Sequence, residues 1–486
     1  MKKNAFSASI RTKQSQCVSI FVFKVSLFNF ALITVLFKQA QTGYYKHKNN
    51  MKIRLISMLL LAAFTVGCAD RGDIIKENIE HAKAQLQYLI DASEADDTLR
   101  IPSTFKNGAI EFVPTDDWVS GFFAGTLWYM YELTGEEYYA EQAQKHTEIL
   151  HDIQYLKWHH DVGFMVYDSY GNGLRLKNVP GYDTVLVNTA KSLATRFRPA
   201  AGIIQSWNVD NPKSWQAHRG WKCPVIIDNM MNLELFFKVS DMTGDDTYKN
   251  IAMSHADKTL ENHYRDDFST YHVVDYDDET GAVRGRYTAQ GIADESRWAR
   301  GQAWSIYGFT VAYRFTGEER YLQRAKEIAN YLFVEEDNMP EDLVPLWDFD
   351  VVEFANALPE NEFLYNNLKD KELIKGYTEI RDVSSASINA SALYELYWHT
   401  KDEFYKEKAD KIIESLSTEA YRAKVGENGG FIFMHSVGSL PHSLLNIEKG
   451  KTHSHNIDVP LNYADYYFLE ALIRKGRVEK GENPIK

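Results

Sequence analysis

Four segments of this chain share one layout: ELTGEEYYAEQAQKHTEIL from Glu132, SDMTGDDTYKNIAMSHADKTL from Ser240, RFTGEERYLQRAKEIANYL from Arg314 and WHTKDEFYKEKADKIIESL from Trp398. In each, a helical pattern stops at Thr-Gly or Thr-Lys, and an acidic pair opens the next helix, where negative charge meets the positive end of the helix dipole. A tyrosine (Tyr139, Tyr248, Tyr321, Tyr405) then stands four residues before an alanine, on the same helix face. These are helical hairpins, and a single hairpin cannot bury its apolar face alone. The gaps between them are uneven and far longer than the period of about 34 residues kept by tetratricopeptide solenoids. The longest gap holds VNTAKSLATRF, a degenerate copy ending before Pro199. With a first helix over 74–92 and a last over 463–474, about six hairpins fit. The expected fold is all-α, a closed (α/α)6 barrel rather than an open solenoid. The segments between repeats are long and rich in Gly, Trp, Asp and His, as loops at the working end of such a barrel would be.

Composition narrows the partners. A formal net charge of −13 argues against nucleic acid, which needs clustered Lys and Arg. The 29 Tyr and 10 Trp supply flat rings suited to stacking on sugars, although most such rings serve a core. Three cysteines, Cys17, Cys68 and Cys223, give no disulfide framework if the first two are lost or lipidated. From Met51, Lys52 and Arg54 precede an apolar run ending at Gly67 and Cys68, the layout of a signal peptide over 51–67. The small residues before Cys68 resemble a bacterial lipobox, which implies lipidation of Cys68, with simple cleavage as the alternative. Residues 1–50 read as an upstream extension and 68–486 as one domain. The protein is therefore expected to be exported, to the periplasm or the cell surface, meeting the membrane only through a lipid.

Five inter-repeat segments carry candidate chemistry. DDWVSGFFAG sets Trp118 and Phe122 one turn apart, as a ring platform or a core stripe. WHHDVGFMVYDSYG places His160 and Asp161 beside a glycine turn, where Asp commonly serves the backbone. In PVIIDNMMNLELFF, Asp228 enters an almost wholly apolar run. Burial disfavours the carboxylate and suits general-acid work, with a helix N-cap as the alternative. YTAQGIADESRWARGQAWSIYGF offers Gln290, Arg300 and Trp304, and since Trp298 to Trp304 cannot share one helix face, part of it is expected to be loop. Arg300 brings a planar fork suited to a sugar carboxylate or hydroxyl pair. Lastly, the polar stretch from Gly429 to Leu472 carries Ser439, Ser443, Lys449, Lys451, His453 and His455, a basic cluster or a solvated loop. The histidines lack metal-ligand spacing, so no metal is expected.

DWVSGFF, HDVGF, IIDNMMNL, the stretch from Gln290 to Trp304, RDVSSASINASALYEL and IDVPLNYADYYFLEAL occur in the order found in glycoside hydrolase family 88. The chain resembles these unsaturated glucuronyl hydrolases over roughly residues 75–475. The resemblance implies an (α/α)6 barrel without cofactor that removes a 4,5-unsaturated uronic acid from lyase-made oligosaccharides of glycosaminoglycan or ulvan type. It implies that Asp228 is the general acid and base, and that Asp161 holds sugar hydroxyls and steadies positive charge. It further implies that Trp118, Phe122, His160, Trp207, His272, Gln290, Arg300 and Trp304 line the site. Matching Trp207 requires an insertion within NVDNPKSWQAHRGWK. Ser439, Lys449 and Lys451 would meet the second sugar. The competing readings are the sister family of unsaturated rhamnogalacturonyl hydrolases and a lipoprotein that only binds glycans.

Overall fold

The computed structural model describes residues 73–485 apart from 96–97, 335–337, 361 and 452–455. The expectations for 1–50, the signal peptide, Cys68, His453 and His455 fall outside the described residues.

Each Thr-Gly or Thr-Lys signal is the turn of a hairpin. Helix α1 spans Asp73–Ser93, and α2 and α3 span Ser120–Thr134 and Glu137–Glu148. Helix α4 runs on through Val162–Val166, a π turn at Tyr167–Gly171 and Asn172–Lys177, and α5 is Tyr182–Ala194. Then come α6 (Leu233–Thr243) and α7 (Asp246–Asn262), α8 (Ala299–Thr316) and α9 (Glu319–Phe333), α10 (Val383–Thr400) and α11 (Glu403–Leu416), and finally α12 (Asn462–Glu479). The turns after α2, α6 and α8 put Gly135, Gly244 and Gly317 in the left-handed region, which an L side chain adopts only with strain. After α10 a lysine, Lys401, takes the same conformation at φ 59°.

The even-numbered helices form an inner ring in which each packs on the next and α12 closes onto α2. The remaining helices form the outer ring. α1 takes the place beside α12, where Ile75 comes up against Gly476. It also ties its outer neighbours together: Asn78 donates to Ser417 Oγ at 2.8 Å, and Lys83 pairs with Glu136 at 2.6 Å. α1 and α12 thus complete the sixth hairpin, and the (α/α)6 barrel is closed.

Inner helices are buried on every side. Val383 to Leu396 of α10 are all buried, and its serines and Asn389 let neighbouring helices approach closely. Such helices carry no amphipathic stripe, unlike the outer α9 and α11.

The loops at the N-terminal ends of the inner helices contain small antiparallel sheets that the all-helical expectation did not include. A hairpin pairs Ile101–Lys106 with Ala109–Val113, and a three-stranded sheet pairs Cys223–Ile226 with Val273–Tyr276 and the latter with Val283–Tyr287. The run PVIIDNMM therefore begins as strand and becomes helical only at Ile227. The stretch from Gly429 to Leu472 is also less of a loop than expected, because Leu440–Glu448 is a helix opened by Pro441. Cys223, the one cysteine among the described residues, is free and buried. No helix among the described residues is long and apolar enough to cross a membrane.

Candidate active site

A cleft of about 830 Å³ opens where the inner helices begin. It is lined by residues at or just before their first turns: Trp118 before α2, His160 and Asp161 before α4, Asp228 before α6, Trp304 in α8, and Leu461 and Tyr463 at the start of α12. Helix N-termini present free N–H groups and positive potential. Among these inner helices only α10 is capped by the side chain of its own N-cap residue, Asp382 accepting the Ser384 amide; the N-cap residues of α2, α4, α6, α8 and α12 make no such bond.

Asp228 sits on the helical turn Ile227–Asn232 and caps no helix. Its Oδ2 is buried, has no hydrogen-bond partner and lies 3.6 Å from Nε2 of His272. Burial pushes its pKa up to about 7, with the Arg300 guanidinium pulling the other way. The indole N–H of Trp304 stands close by and completes no hydrogen bond. His272 has a defined role in this arrangement. Its Nδ1 accepts from the amides of Ala289 (3.0 Å) and Gln290 (3.2 Å), so in the neutral ring the proton is on Nε2, facing Asp228. Burial holds the imidazole well below its usual pKa, so it stays neutral and its Nε2–H is a donor without a charge.

Asp161 precedes α4, and Gly163 is helical rather than the turn expected. A Cβ there would come within 2.5 Å of Asn232 Oδ1, so glycine is what lets α4 lie against the start of α6. Asn232 Oδ1 accepts the Phe164 amide at 3.2 Å, fixing the contact. Burial pushes the Asp161 carboxyl well above the carboxylate range, and the charge of Asp228 adds to this. Nε2 of His160 lies 3.2 Å from Asp161 Oδ1 without hydrogen-bond alignment, and burial keeps this ring neutral too. Donor atoms of His159, His160 and Asp161 lie within 4.8 Å of one another, near enough to hold a cation. Nδ1 of His159 accepts the Asp161 amide at 3.1 Å.

Of the expected residues, Trp118, His160, Asp161, Trp207, Asp228, Gln290, Trp304, Ser439 and Lys449 line the cleft, and His272 stands behind Asp228. Phe122, Arg300 and Lys451 do not. The Phe122 ring stacks on Phe164 at 5.7 Å and is fully buried, supporting Trp118 edge-on at 6.2 Å. The correction for Arg300 is larger, because its guanidinium is spent on protein: it pairs with Asp382 at 3.1 Å and donates to the carbonyls of Val437 and Gly438 (2.6 Å). Gln290 donates to the same Gly438 carbonyl at 3.0 Å. Both residues clamp the strand leading to Ser439, so no fork is left open for a sugar carboxylate. The helix α8 starts at Ala299, and only the part up to Trp298 is loop. Gln302 turns away from the cleft to bond Thr270, taking its amide at 2.8 Å.

Sequence reasoning missed Asp117, Tyr463, Trp215 and Arg219, all of which line the cleft. Tyr463 directly follows the asparagine of the quoted motif IDVPLNY; its ring lies 5.0 Å from Trp118 and its hydroxyl has no partner. Asp117 could have been found as the second acid of DDWVSGFF. Its pKa is raised by burial, and its Oδ1 accepts the Val119 amide at 3.1 Å.

No family model matches the chain. Among curated proteins, it is 41% identical over 366 residues to an unsaturated glucuronyl hydrolase of Formosa agariphila, covering 75% of this chain and 81% of that protein. It is 32% identical over 386 residues to an unsaturated glucuronyl hydrolase of Bacillus sp. (strain GL1), covering 76% and 90%. Among solved structures, an unsaturated glucuronyl hydrolase described as specific for heparin superposes with a TM-score of 0.72 at 38% identity, over 85% of this chain and 99% of that one.

Proposed function

The chain belongs to the unsaturated glucuronyl hydrolases of glycoside hydrolase family 88, and from that premise we propose that it acts by hydrating the C4=C5 double bond of a terminal unsaturated uronate, with Asp228 as general acid and base. The observation that carries this reading is the Asp228 carboxyl: half-buried and lining the cleft, with Oδ2 buried and without a hydrogen-bond partner, and raised to about 7 so that it holds a proton near neutral pH.

In such a sugar the double bond is conjugated to the ring oxygen as a vinyl ether. Asp228 gives its proton to C4, and positive charge develops at C5 and the ring oxygen. Water attacks C5 while the Asp228 carboxylate takes its proton, regenerating the acid. The product at C5 is a hemiketal, which opens to a 5-keto sugar and releases the neighbouring residue. This route needs one carboxyl acting at C4 and C5, whereas ordinary glycosidases set two carboxyls about the anomeric carbon.

His272 Nε2–H and Trp304 Nε1–H supply neutral donors beside Asp228, suited to holding substrate oxygens or the attacking water. A carboxyl as strongly raised as Asp161 suits binding sugar hydroxyls as donor and acceptor better than steadying positive charge. With Arg300 engaged, positive potential for the uronate carboxylate comes from the inner-helix N-termini together with the cleft-lining Lys106, Arg219 and Lys449. The substrates are lyase-made oligosaccharides of glycosaminoglycan or ulvan type, and a neighbouring structure from Streptococcus agalactiae, 27% identical with a TM-score of 0.61, holds dGlcA-GalNAc6S. Export follows from the segment beginning at Met51, with lipid attachment at Cys68. Fractionation of cells should find the enzyme outside the cytoplasm.

The test uses purified protein and a panel of unsaturated disaccharides. Wild type should abolish the ultraviolet absorbance of the conjugated double bond and Asp228→Asn should not. Activity of Asp228→Asn within about threefold of wild type would remove Asp228 from the mechanism, since loss of general acid-base catalysis costs on the order of 10² to 10⁴.

A further inference from the structure

Among the described residues, nine large apolar side chains are exposed, and of these only Trp215, at 40%, lines the cleft. An exposed indole forgoes the stabilisation that burial of a large ring would bring. The segment that presents it is built to hold it in place. Trp215 opens a single helical turn, Trp215–His218, whose N-cap Ser214 accepts the Ala217 amide at 3.2 Å. Its ring meets Trp207 at 4.9 Å and Trp221 at 5.7 Å, and Trp207 and Trp221 stack nearly parallel at 5.8 Å. Arg219 locks the far side, lying over Trp221 (4.7 Å) and Phe363 (4.4 Å) while donating to the Thr288 carbonyl at 2.6 Å.

These rings form a path leading away from the acid. His272 lies 3.6 Å from Asp228, Trp207 is edge-on to His272 at 6.0 Å, and Trp215 is the next ring beyond Trp207. With the unsaturated uronate placed at Asp228, the outer part of this path is the surface open to the residue that follows it in the oligosaccharide. We propose that Trp215 is the stacking platform for the pyranose next to the unsaturated uronate, and so a specificity-determining residue for the leaving sugar. The proposal rests on the placement of the unsaturated uronate at Asp228. The occupant is a carbohydrate ring, because a pyranose presents C–H groups from one face to an indole while its hydroxyls remain in water. The platform is held before substrate arrives, so binding orders little protein.

The experiment compares wild type, Trp215→Ala and Trp215→Phe on two substrates, an unsaturated uronyl disaccharide and the methyl glycoside of the same unsaturated uronate, with thermal unfolding as the check on folding. Trp215→Ala should lose five- to tenfold more kcat/KM on the disaccharide than on the methyl glycoside, through KM rather than kcat, and Trp215→Phe should recover most of the difference; these are about the magnitudes of one aromatic contact. Equal losses on both substrates would overturn the proposal by showing that Trp215 acts through Trp207 on the uronate itself. No loss on either would overturn it as well. If wild type turns over neither substrate, the placement of the uronate at Asp228 fails, and the platform with it. Turnover of both by wild type and by Trp215→Ala at wild-type ratios removes the platform alone.

Discussion

The two ends of the barrel bury similar charged and polar residues and use them in opposite ways. At the C-terminal ends of the inner helices, partners are spent on one another. Glu395 accepts from Arg314 at 2.7 Å and lies 3.2 Å from Arg474; Glu470 accepts from Tyr129 (2.8 Å), Tyr307 (3.0 Å) and Arg474 (3.0 Å). Burial would raise the Glu395 carboxyl, and the two guanidinium groups nonetheless hold it far below the carboxylate range. Exceptions there include Asp168, whose Oδ2 has no partner and whose pKa burial raises, and the hydroxyls of Tyr170 and Tyr182. At the N-terminal end, Asp228 Oδ2, His272 Nε2, Trp304 Nε1 and the Tyr463 hydroxyl are all buried without hydrogen-bond partners. Leaving such groups unpaired is costly, about 1–3 kcal/mol each. One end of the fold is paired for rigidity, and the other keeps its polar atoms for a ligand.

The sharpest way to break this contrast is to alter one residue at each end. Asp228→Asn should lose 10² to 10⁴ in kcat with no loss of thermal stability. It should even gain stability in one pH range. The folded pKa lies above the unfolded one, so ionising Asp228 burdens the fold increasingly as pH rises from the ordinary carboxylate range to about 7, and steadily above that. The variant should therefore unfold at a higher temperature than wild type at pH 8 and not at pH 4. The same proton makes wild-type kcat/KM fall as pH rises past about 7. Glu395→Gln should do the reverse, costing about 3–5 kcal/mol in urea unfolding while leaving kcat of the folded enzyme near wild type in the cold, because two buried guanidinium groups lose their shared carboxylate.

Arg300 tests the boundary between the two regimes, since it lies at the open end yet is paired like the closed one. Arg300→Met should lower both the unfolding midpoint and kcat/KM, the latter ten- to hundredfold, because the wall at Gly438 and Ser439 loses its clamp. A fall in activity at unchanged stability would return Arg300 to direct substrate contact. The smallest effect is expected at the exposed basic residues. Lys449→Ala should weaken kcat/KM for sulfated disaccharides tenfold or less and Lys451→Ala by less still, since only Lys449 lines the cleft, and added salt should shrink the difference.

The sequence displayed this molecule unevenly. Outer helices announce themselves because one face is polar and their turns need glycine or an acidic first turn. The inner helices, such as α10 with its serines, are buried all round and show no stripe to read. Asp228 stood out because a lone charge in an apolar run has few structural explanations, whereas Phe122, equally apolar in context, proved to be core. Arg300 could not be judged from its own surroundings, because the carbonyls that occupy it come from Val437 and Gly438, remote in sequence. Trp215 and Tyr463 went unnoticed for a related reason: an aromatic residue declares its chemistry only when its exposure or its unpartnered hydroxyl is known.

The central claim, that Asp228 delivers a proton to C4, is tested most directly by running the reaction in deuterium oxide and examining the first product formed by mass spectrometry and NMR. The account predicts a single deuterium at C4, placed on one face, in a sugar that has lost its double bond, and none in recovered substrate. Release of a sugar that keeps its double bond and carries no deuterium at C4 would contradict it, because cleavage would then have occurred at the anomeric carbon.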